Sequence, residues 1–357
     1  MFLFSLLLSI ILVFQNFSLV WGVTTFNEDN LENISAVSAI VLDGNTGKIL
    51  YAKNPHLKIP PASTVKLITA MVVLDNLSLD TKVKISKHAA QTLSVGPCLY
   101  KGEVYTVKDL LYLMLMKSSN QAAVALAEAV AGSEDRFAIL MNKKAESLGL
   151  KESHFVTASG LPAPDQYTTS YELAVILHEA MKYPLIRKII HTPVKIITSA
   201  SGRTLIIRNT NKLLKIKALR DEILGGKTGY TRASRHCLVN AVKVDGRLII
   251  SAVMGAPSRQ DLWVDTLKLI KFSKFVLERR LAPVLITTTV NTNILASQKI
   301  VNPYYKYKYR HRRHYYKYYK RHYRKKHYSA RRYRHKRYRH RKHYYKYSKK
   351  CKSVKSS

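Results

Sequence analysis

A serine and a lysine three positions apart, Ser63 and Lys66, have the spacing in this 357-residue chain that most directly suggests chemistry. They follow two prolines, and the apolar positions after them predict a helix over residues 62–74. One helical turn then brings the lysine amine beside the serine hydroxyl. A serine becomes a good nucleophile when a neighbouring base accepts its proton, and a lysine can be that base when burial or another cation lowers its pKa. The pair predicts acyl transfer; taken alone it also fits a helix cap beside a solvated lysine.

Ser118 and Asn120 form a second polar fragment, between segments 107–116 and 120–131 that have strongly helical, apolar patterns. Polar side chains at a tight connection between buried helices must face a partner or a cleft. Ser118 is therefore predicted to relay a proton between Lys66 and the leaving group, and Asn120 to hold the substrate amide. An ordinary turn with a helix N-cap is the alternative for this fragment.

The third fragment, Lys227-Thr228-Gly229-Tyr230, follows two glycines and leads toward strand-like sequence. Glycine allows a backbone to approach a substrate closely, and an edge strand here would pair with an extended peptide. Lys227 would place a second positive charge near Lys66 and lower its pKa, and Thr228 would donate to a terminal carboxylate. The N–H groups of the nucleophilic serine and of Tyr230 are predicted to form the oxyanion hole. A glycine-rich hairpin without catalytic function is the alternative.

Residues 23–282 contain the elements that must position these fragments, and they are numerous enough for one globular unit with a substantial core. Short apolar runs at 36–42 and 49–52 flank a turn signal, and residues 238–244 and 247–254 predict a second hairpin. Further helical patterns cover 134–148 and 262–277. Strands at both ends with helices between them predict a mixed antiparallel sheet covered by helices.

The N-terminal residues 1–22 contain an apolar run followed by small or modest residues, which predicts a cleaved secretory signal. An uncleaved anchor is the alternative, although the run is short and interrupted for a spanning helix. Both interpretations place the rest of the chain outside the cytoplasm, in the periplasm or the cell envelope, with a position at the membrane periphery left open.

A linker at residues 283–303 precedes a tail, residues 304–357, that consists mainly of Tyr, Lys, Arg and His and has no Asp or Glu. The tail supplies 24 of the 60 Lys and Arg residues, and so most of the net charge of +38. Such a segment is predicted to be disordered when free. Because export makes nucleic acid an unlikely partner, we expect the tail to bind an anionic envelope polymer or membrane surface.

The three cysteines, Cys98, Cys237 and Cys351, are too few for a disulfide framework and lack metal-ligand spacing. A Cys98–Cys237 bridge is compatible with an oxidising compartment, and the sequence leaves it open. Seven tail histidines lie among dense cations, which oppose metal binding. No metal and no cofactor is predicted.

Together the three fragments resemble the motif set of low-molecular-mass penicillin-binding proteins, the serine-type D-alanyl-D-alanine carboxypeptidases of peptidase family S11. Matching text includes Pro61–Lys66, His154–Val156 and Val253–Ser258, within a resemblance that covers residues 35–280. It implies an α/β (α+β type) fold with a five-stranded antiparallel sheet, flanking helices and a helical subdomain. It also implies a cell-wall hydrolase that removes the terminal D-Ala of peptidoglycan stem peptides through an acyl-enzyme on Ser63 and is inhibited by β-lactams. The family's additional carboxylate-binding arginine has Arg259 as its candidate.

Three departures from the family pattern are visible. Ser119 stands where glycine is usual, and Ser234-Arg235 replaces an expected Ala-Gly pair at the rim of the cleft. We expect residues 283–357 to contain no counterpart of the family's small β-rich domain and amphipathic anchor helix, with the basic tail in their place.

Other functions compete with this interpretation. A class A β-lactamase would need a Glu-x-x-Leu-Asn segment to activate its deacylating water, and none occurs between Asn120 and Lys227. A D,D-endopeptidase that cuts peptidoglycan cross-links would use the same site. A non-catalytic protein that binds envelope polymers through its tail is the alternative from a different class. Preference between the two peptidase reactions and oligomeric state are not predicted.

Overall fold

A six-stranded sheet in the order β10-β2-β1-β9-β8-β7 forms the centre of the computed structural model. The structure describes residues 33–219, 221–279 and 281–286, so the predicted signal (1–22), most of the linker and the tail (304–357) lie outside the described residues. The chain separates into residues 1–34 and a unit that begins at Ser35, and everything below concerns the second unit.

The strands are numbered in chain order. They are β1 (Ser38–Asp43), β2 (Ile49–Lys53), β3 (Lys82–Lys84), β4 (Val104–Thr106), β5 (Val194–Thr198), β6 (Thr204–Arg208), β7 (Ile223–Thr231), β8 (Arg235–Val244), β9 (Arg247–Ala256) and β10 (Val284–Ile286). Strands β3 and β4, and likewise β5 and β6, form separate two-stranded ribbons.

The predicted five-stranded antiparallel sheet is confirmed, with one addition. Strands β2, β1, β9, β8 and β7 pair antiparallel, and the short strand β10 adds to β2 in parallel. The predicted linker from residue 283 therefore begins with a strand. Eight consecutive residues of β9 are buried, which requires cover on both faces because successive side chains point to opposite sides. Strand β7 lies at the opposite edge of the sheet from β10.

The α-helices are also numbered in chain order. They are α1 (Lys66–Asn76), α2 (Lys87–Gln91), α3 (Val107–Lys117), α4 (Asn120–Ala131), α5 (Glu134–Ser147), α6 (Ser170–Ala180), α7 (Pro184–His191) and α8 (Arg259–Leu277). The helices predicted at 107–116, 120–131 and 134–148 are confirmed to within one residue at each end. The helix predicted at 262–277 begins three residues earlier.

Capping side chains explain why several of these helices begin where they do. Thr106 accepts the N–H of Asp109, Ser133 accepts that of Arg136, and the hydroxyl of Ser258 accepts two N–H groups of α8. The helix predicted over 62–74 is divided, because residues 62–65 form a 3₁₀ turn before α1 starts. The nucleophile candidate therefore lies in that turn and the lysine in the first turn of the α-helix.

Cys237 is a free, buried thiol in β8, and burial raises its pKa to about 12. The Cys98–Cys237 bridge that the sequence left open is therefore not formed.

Among the described residues, no helix is both long and apolar enough to cross a membrane.

Candidate active site

Ser63 and Lys66 are in direct contact, as their spacing predicts. The Nζ atom of Lys66 lies 2.8 Å from the Oγ atom of Ser63. The lysine side chain is fully buried, whereas Ser63 is partly exposed. The amine thus approaches the hydroxyl from inside the protein, and the hydroxyl keeps access to a substrate from outside.

Two further acceptors surround the Lys66 amine. They are the Oδ1 atom of Asn120, at 2.7 Å, and the backbone carbonyl of Ser159. A neutral amine has two N–H donors and one lone pair. The protonated amine donates to Ser63, Asn120 and Ser159, and after loss of one proton its two N–H groups can stay on Asn120 and Ser159 while the lone pair accepts from the Ser63 hydroxyl, as a general base requires.

The electrostatics of the site favour the neutral amine. Burial holds the pKa of Lys66 well below its ordinary value of 10.5, the positive charge of Lys227 lowers it further, and the Glu134 carboxylate opposes both. The Lys227 effect is the one that the sequence predicted. A buried lysine with a lowered pKa can accept the proton of Ser63 near neutral pH.

Ser118 is joined to the second lysine of the site. It ends α3 in the left-handed conformation (φ +66°), and its Oγ atom accepts a hydrogen bond of 2.9 Å from the Nζ atom of Lys227. Lys227 is fully buried and also donates to the Thr228 carbonyl, at 2.8 Å. Burial lowers the pKa of Lys227 to about 7. The proton relay predicted for Ser118 stays a prediction, with Lys227 as the lysine it contacts.

Asn120 is held at both ends of its amide. Its Oδ1 atom accepts from Lys66, and its Nδ2 atom donates to the carbonyl of Leu93 at 2.7 Å. Its backbone N–H donates to the Oγ atom of Ser94 at 2.9 Å. In this structure Asn120 therefore orients the lysine base, and its contact with a substrate amide stays a prediction. The neighbouring Ser119 caps α4, which explains why a serine is accommodated where glycine was expected.

Strand β7 lies directly against the nucleophile turn at Gly229. A Cβ atom at this glycine would lie 3.1 Å from the Ser63 nitrogen and 3.2 Å from the Pro61 carbonyl oxygen. Glycine therefore permits the approach that the predicted oxyanion hole needs between the Ser63 N–H and the strand. The hydroxyl of Thr228 lies 2.8 Å from that of Thr210, in a position still partly exposed.

The outer end of β7 forms the rim of the site. Tyr230 is 49% exposed, and its ring packs on His236 with the ring centres 4.4 Å apart. Burial and the positive charge of Arg259 lower the pKa of His236, and the negative charge of Asp261 opposes them. Arg259 is exposed and starts α8. Its role as a carboxylate partner stays a prediction.

The unexpected Ser234-Arg235 pair lies where the turn after β7 ends and β8 begins. Ser234 donates its backbone N–H to the Oγ1 atom of Thr231 at 2.9 Å, and the two hydroxyls lie 2.7 Å apart. Arg235 has φ +54°, a left-handed conformation that glycine adopts without strain. Position 235 thus has a backbone conformation suited to glycine although it is an arginine, and this arginine adds an exposed positive charge to the rim.

Several groups at the site were not found from the sequence. They are the Leu93 and Ser159 carbonyls, the hydroxyls of Ser94 and Thr210, and the carboxylate of Glu134. Backbone carbonyls carry no sequence signal, but Gly160 offered an indirect one. It has φ +76°, and a Cβ atom there would overlap the Ala62 carbonyl. Glycine therefore lets the Ser159 turn pack on the nucleophile turn.

Within the described ranges, no cluster of metal-ligating side chains occurs.

The fold, with a serine hydroxyl in contact with a buried lysine amine, fits the class of serine acyl-transfer enzymes. The family model for D-alanyl-D-alanine carboxypeptidase, peptidase S11, matches residues 24–258. The chain belongs to this family, which confirms the resemblance seen in the sequence.

Named relatives agree with this assignment. The chain is 34% identical over 243 residues to the D-alanyl-D-alanine carboxypeptidase DacF of Bacillus subtilis, a match that covers 67% of this chain and 62% of DacF. It is also 34% identical over 241 residues to a D-alanyl-D-alanine endopeptidase of Pseudomonas aeruginosa, covering 67% of this chain and 77% of the relative. The chain thus spans less than two thirds of the length of DacF.

Solved structures agree on the fold. The D-alanyl-D-alanine carboxypeptidase of Mycobacterium tuberculosis superposes with a TM-score of 0.63 at 32% identity, over 67% of this chain and 90% of the other. The Streptomyces K15 DD-transpeptidase gives a TM-score of 0.63 at 30% identity, over 67% of this chain and 97% of the other.

Proposed function

We propose that this chain is a serine D,D-carboxypeptidase that removes the terminal D-Ala of peptidoglycan stem peptides through an acyl-enzyme on Ser63. The observation that carries the proposal is the 2.8 Å contact between the Lys66 amine and the Ser63 hydroxyl. The amine is buried, its pKa is lowered, and its other neighbours are acceptors. These are the properties that an activated serine nucleophile and its base require.

In the acylation step, Lys66 accepts the hydroxyl proton and the Ser63 Oγ atom attacks the carbonyl carbon of the D-Ala–D-Ala bond. The developing oxyanion binds the N–H groups of Ser63 and Tyr230. The C–N bond then breaks, and the departing amine takes the proton that Lys66 had accepted, relayed through Ser118, which Lys227 holds by its 2.9 Å hydrogen bond; Lys66 is neutral again. D-Ala leaves, and the rest of the stem peptide stays as an ester on Ser63.

The edge position of β7 supports the binding of an extended peptide, because its outer backbone groups face away from the sheet. Thr228 and Arg259 bind the terminal carboxylate in this proposal. Lys66 then activates the water that hydrolyses the ester, in place of the glutamate that class A β-lactamases use. The same site accepts β-lactams, whose amide bond takes the place of the scissile peptide bond.

The experiment is mass spectrometry of a stem pentapeptide after incubation with the chain and with a Ser63→Ala variant. The expected result is loss of one D-Ala from the pentapeptide with the wild-type chain and no change with the variant. An intact pentapeptide after incubation with a folded wild-type chain would contradict the proposal, and the non-catalytic polymer-binding alternative would be preferred if a cross-linked muropeptide also stayed intact.

A second candidate is a D,D-endopeptidase, favoured by the relatives with that name in Pseudomonas aeruginosa and Escherichia coli. The catalytic steps are the same, but the leaving amine belongs to a cross-linked neighbouring peptide. A cross-linked muropeptide in the same mass-spectrometric assay separates the two reactions. Cleavage of the cross-link with an intact pentapeptide would favour the endopeptidase.

The proposal also includes export and retention at the envelope. The apolar N-terminal segment and the basic tail, both outside the described residues, support a chain that acts in the periplasm or cell envelope. Attraction to an anionic surface contributes about 1 kcal/mol per basic residue close to it, so partial engagement of the tail would suffice. Removal of residues 304–357 is expected to release the protein from envelopes while activity on soluble peptide is kept. Unchanged retention would contradict the anchoring role.

A further inference from the structure

A carboxylate outside the three motifs binds the turn that contacts the proposed base, Lys66. Glu134 is the first residue of α5, and its Oε1 atom accepts the backbone N–H of Ala158 at 3.0 Å. The next residue, Ser159, offers its carbonyl to the Lys66 amine. Thr69, one turn along α1 from the lysine, donates its hydroxyl to the Ala158 carbonyl at 2.8 Å. The Ala158–Ser159 turn is therefore fixed from α5 and from α1 while it contacts the base.

Glu134 also acts on Lys66 through its charge. Its carboxylate favours the protonated amine, against the effects of burial and of Lys227. Burial in turn raises the pKa of Glu134 itself, while the Ala158 N–H, His88 and Lys66 lower it and Asp135 raises it. His88, on α2, also pairs with Glu128 at 2.8 Å. The amine of Lys66 is thus subject to two opposing charges, the cation of Lys227 on β7 and the anion of Glu134 on α5.

We propose that Glu134 is a positioning residue for Lys66, which fixes the turn that orients the amine and sets the pH range in which the amine accepts the Ser63 proton. The inference rests on the proposed function, because it assigns Lys66 as the base. It separates two roles of one side chain. The hydrogen bond to Ala158 needs only an acceptor oxygen, whereas the electrostatic role needs the negative charge.

The substitution Glu134→Gln divides these roles, because the amide keeps an acceptor for the Ala158 N–H and loses the charge. Without the anion, Lys66 gives up its proton at lower pH, and a larger fraction of the amine is available as base on the acidic side of the profile. Glu134→Ala removes both the acceptor and the charge. Asp135→Asn is the matched control, because it removes one charge from the same helical turn at an exposed position.

The measurement is the rate constant for acylation of the full chain by a labelled penicillin as a function of pH. We expect Glu134→Gln to move the acid limb to lower pH, with acylation roughly three- to tenfold faster on that limb and a similar plateau. Glu134→Ala should have a lower plateau than the wild type because the acceptor for the Ala158 N–H is lost, the Gln variant should keep the plateau, and Asp135→Asn should follow the wild type. Thermal melting of each variant checks that it is folded.

A Glu134→Gln profile that superimposes on the wild type, or that is slower by the same factor at all pH values, would overturn the electrostatic role. A Glu134→Ala variant that is folded and acylates like the wild type would overturn the orienting role. Absence of acylation in the wild type would instead overturn the proposed function, which keeps the two failures distinct.

Discussion

The amine of Lys227 donates to the hydroxyl of Ser118 over 2.9 Å, so the second lysine of the site is joined to the serine of the middle motif and not to the nucleophile. Lys66 instead contacts the nucleophile and Asn120. The site therefore contains two lysine–serine pairs, each with a buried amine and a partly exposed hydroxyl. This division suits a reaction in which one serine loses a proton and a leaving amine later gains one.

Replacement of Lys66 by arginine is expected to remove the base and to slow acylation. A guanidinium stays protonated at every accessible pH and cannot act as a base. Lys66→Arg is therefore expected to lose about 10²- to 10⁴-fold in acylation rate, similar to Lys66→Ala. Stopped-flow acylation with a fluorescent penicillin measures both variants. Near-wild-type acylation by Lys66→Arg would show that the amine acts as a fixed cation.

Replacement of Lys227 should change both the pH dependence of acylation and its plateau rate. Lys227→Gln removes the cation that lowers the pKa of Lys66, so the acid limb of acylation should move to higher pH. The loss of a charged donor to Ser118 should reduce the plateau at least about tenfold. The pH profile of acylation tests this prediction, which an unmoved acid limb would contradict.

Lys227 should also affect stability in a pH-dependent way. Its pKa is about 7 in the folded chain against 10.5 when exposed, so the unfolded chain binds more protons between these values. The contribution of Lys227 to the free energy of unfolding therefore rises with pH from about 7 to 10.5. Lys227→Met should be more stable than the wild type below pH 7, on the order of a few kcal/mol, with a difference that shrinks at alkaline pH. Urea unfolding at several pH values tests the sign, and a difference independent of pH would contradict it.

A methyl group at position 229 should impair catalysis more than folding. The new Cβ atom would lie 3.1 Å from the Ser63 nitrogen, so the strand and the nucleophile turn must separate by a few tenths of an ångström. Gly229→Ala is expected to slow acylation by about tenfold, because oxyanion donors act over a narrow distance range. As a comparison, Gly226→Ala would place its Cβ 2.3 Å from the Val239 carbonyl oxygen and should destabilise the sheet itself. Equal losses of stability in both variants would contradict this distinction.

Arg259 should discriminate substrates by their terminal carboxylate. Arg259→Ala is expected to lower kcat/KM for a free-acid pentapeptide by about ten- to hundredfold, the effect of one lost charge-assisted hydrogen bond. Activity on the C-terminally amidated peptide should change little. Arg232→Ala, an exposed arginine on the neighbouring turn, is the control. Equal effects of Arg259→Ala on the two peptides would remove Arg259 from the carboxylate site.

The strands and helices with clear periodicity could be predicted from the sequence. Helix α4 was predicted with its observed ends from its apolar helical pattern, and in the structure Ser119 caps it and a left-handed Gly132 ends it. Strand β10 was missed because it has only three residues and is stabilised by pairing with β2, which is distant in sequence. The 3₁₀ turn at Ser63 was missed because it depends on packing against Gly160 and Gly229.

For the site, the three motifs identified the lysines, hydroxyls and Asn120 because their chemistry depends on side chains. The spacing predicted the contact between Lys66 and Ser63, but the motifs did not identify Asn120 as a partner of Lys66 or Ser118 as the partner of Lys227, because those pairings depend on the tertiary structure. The Ser159 carbonyl, which contacts Lys66, and the Glu134 carboxylate, which accepts the N–H of the adjacent Ala158, lie outside the motifs in sequence and are brought to the site by tertiary packing.

The central claim is that Ser63 is the acyl-accepting nucleophile. The most direct test is to incubate the chain with penicillin, digest it and locate the adduct by mass spectrometry. The account predicts one penicilloyl group per chain, on the peptide that contains Ser63, and no adduct in a folded Ser63→Ala variant. An adduct on another residue, or labelling that persists in that variant, would contradict the account.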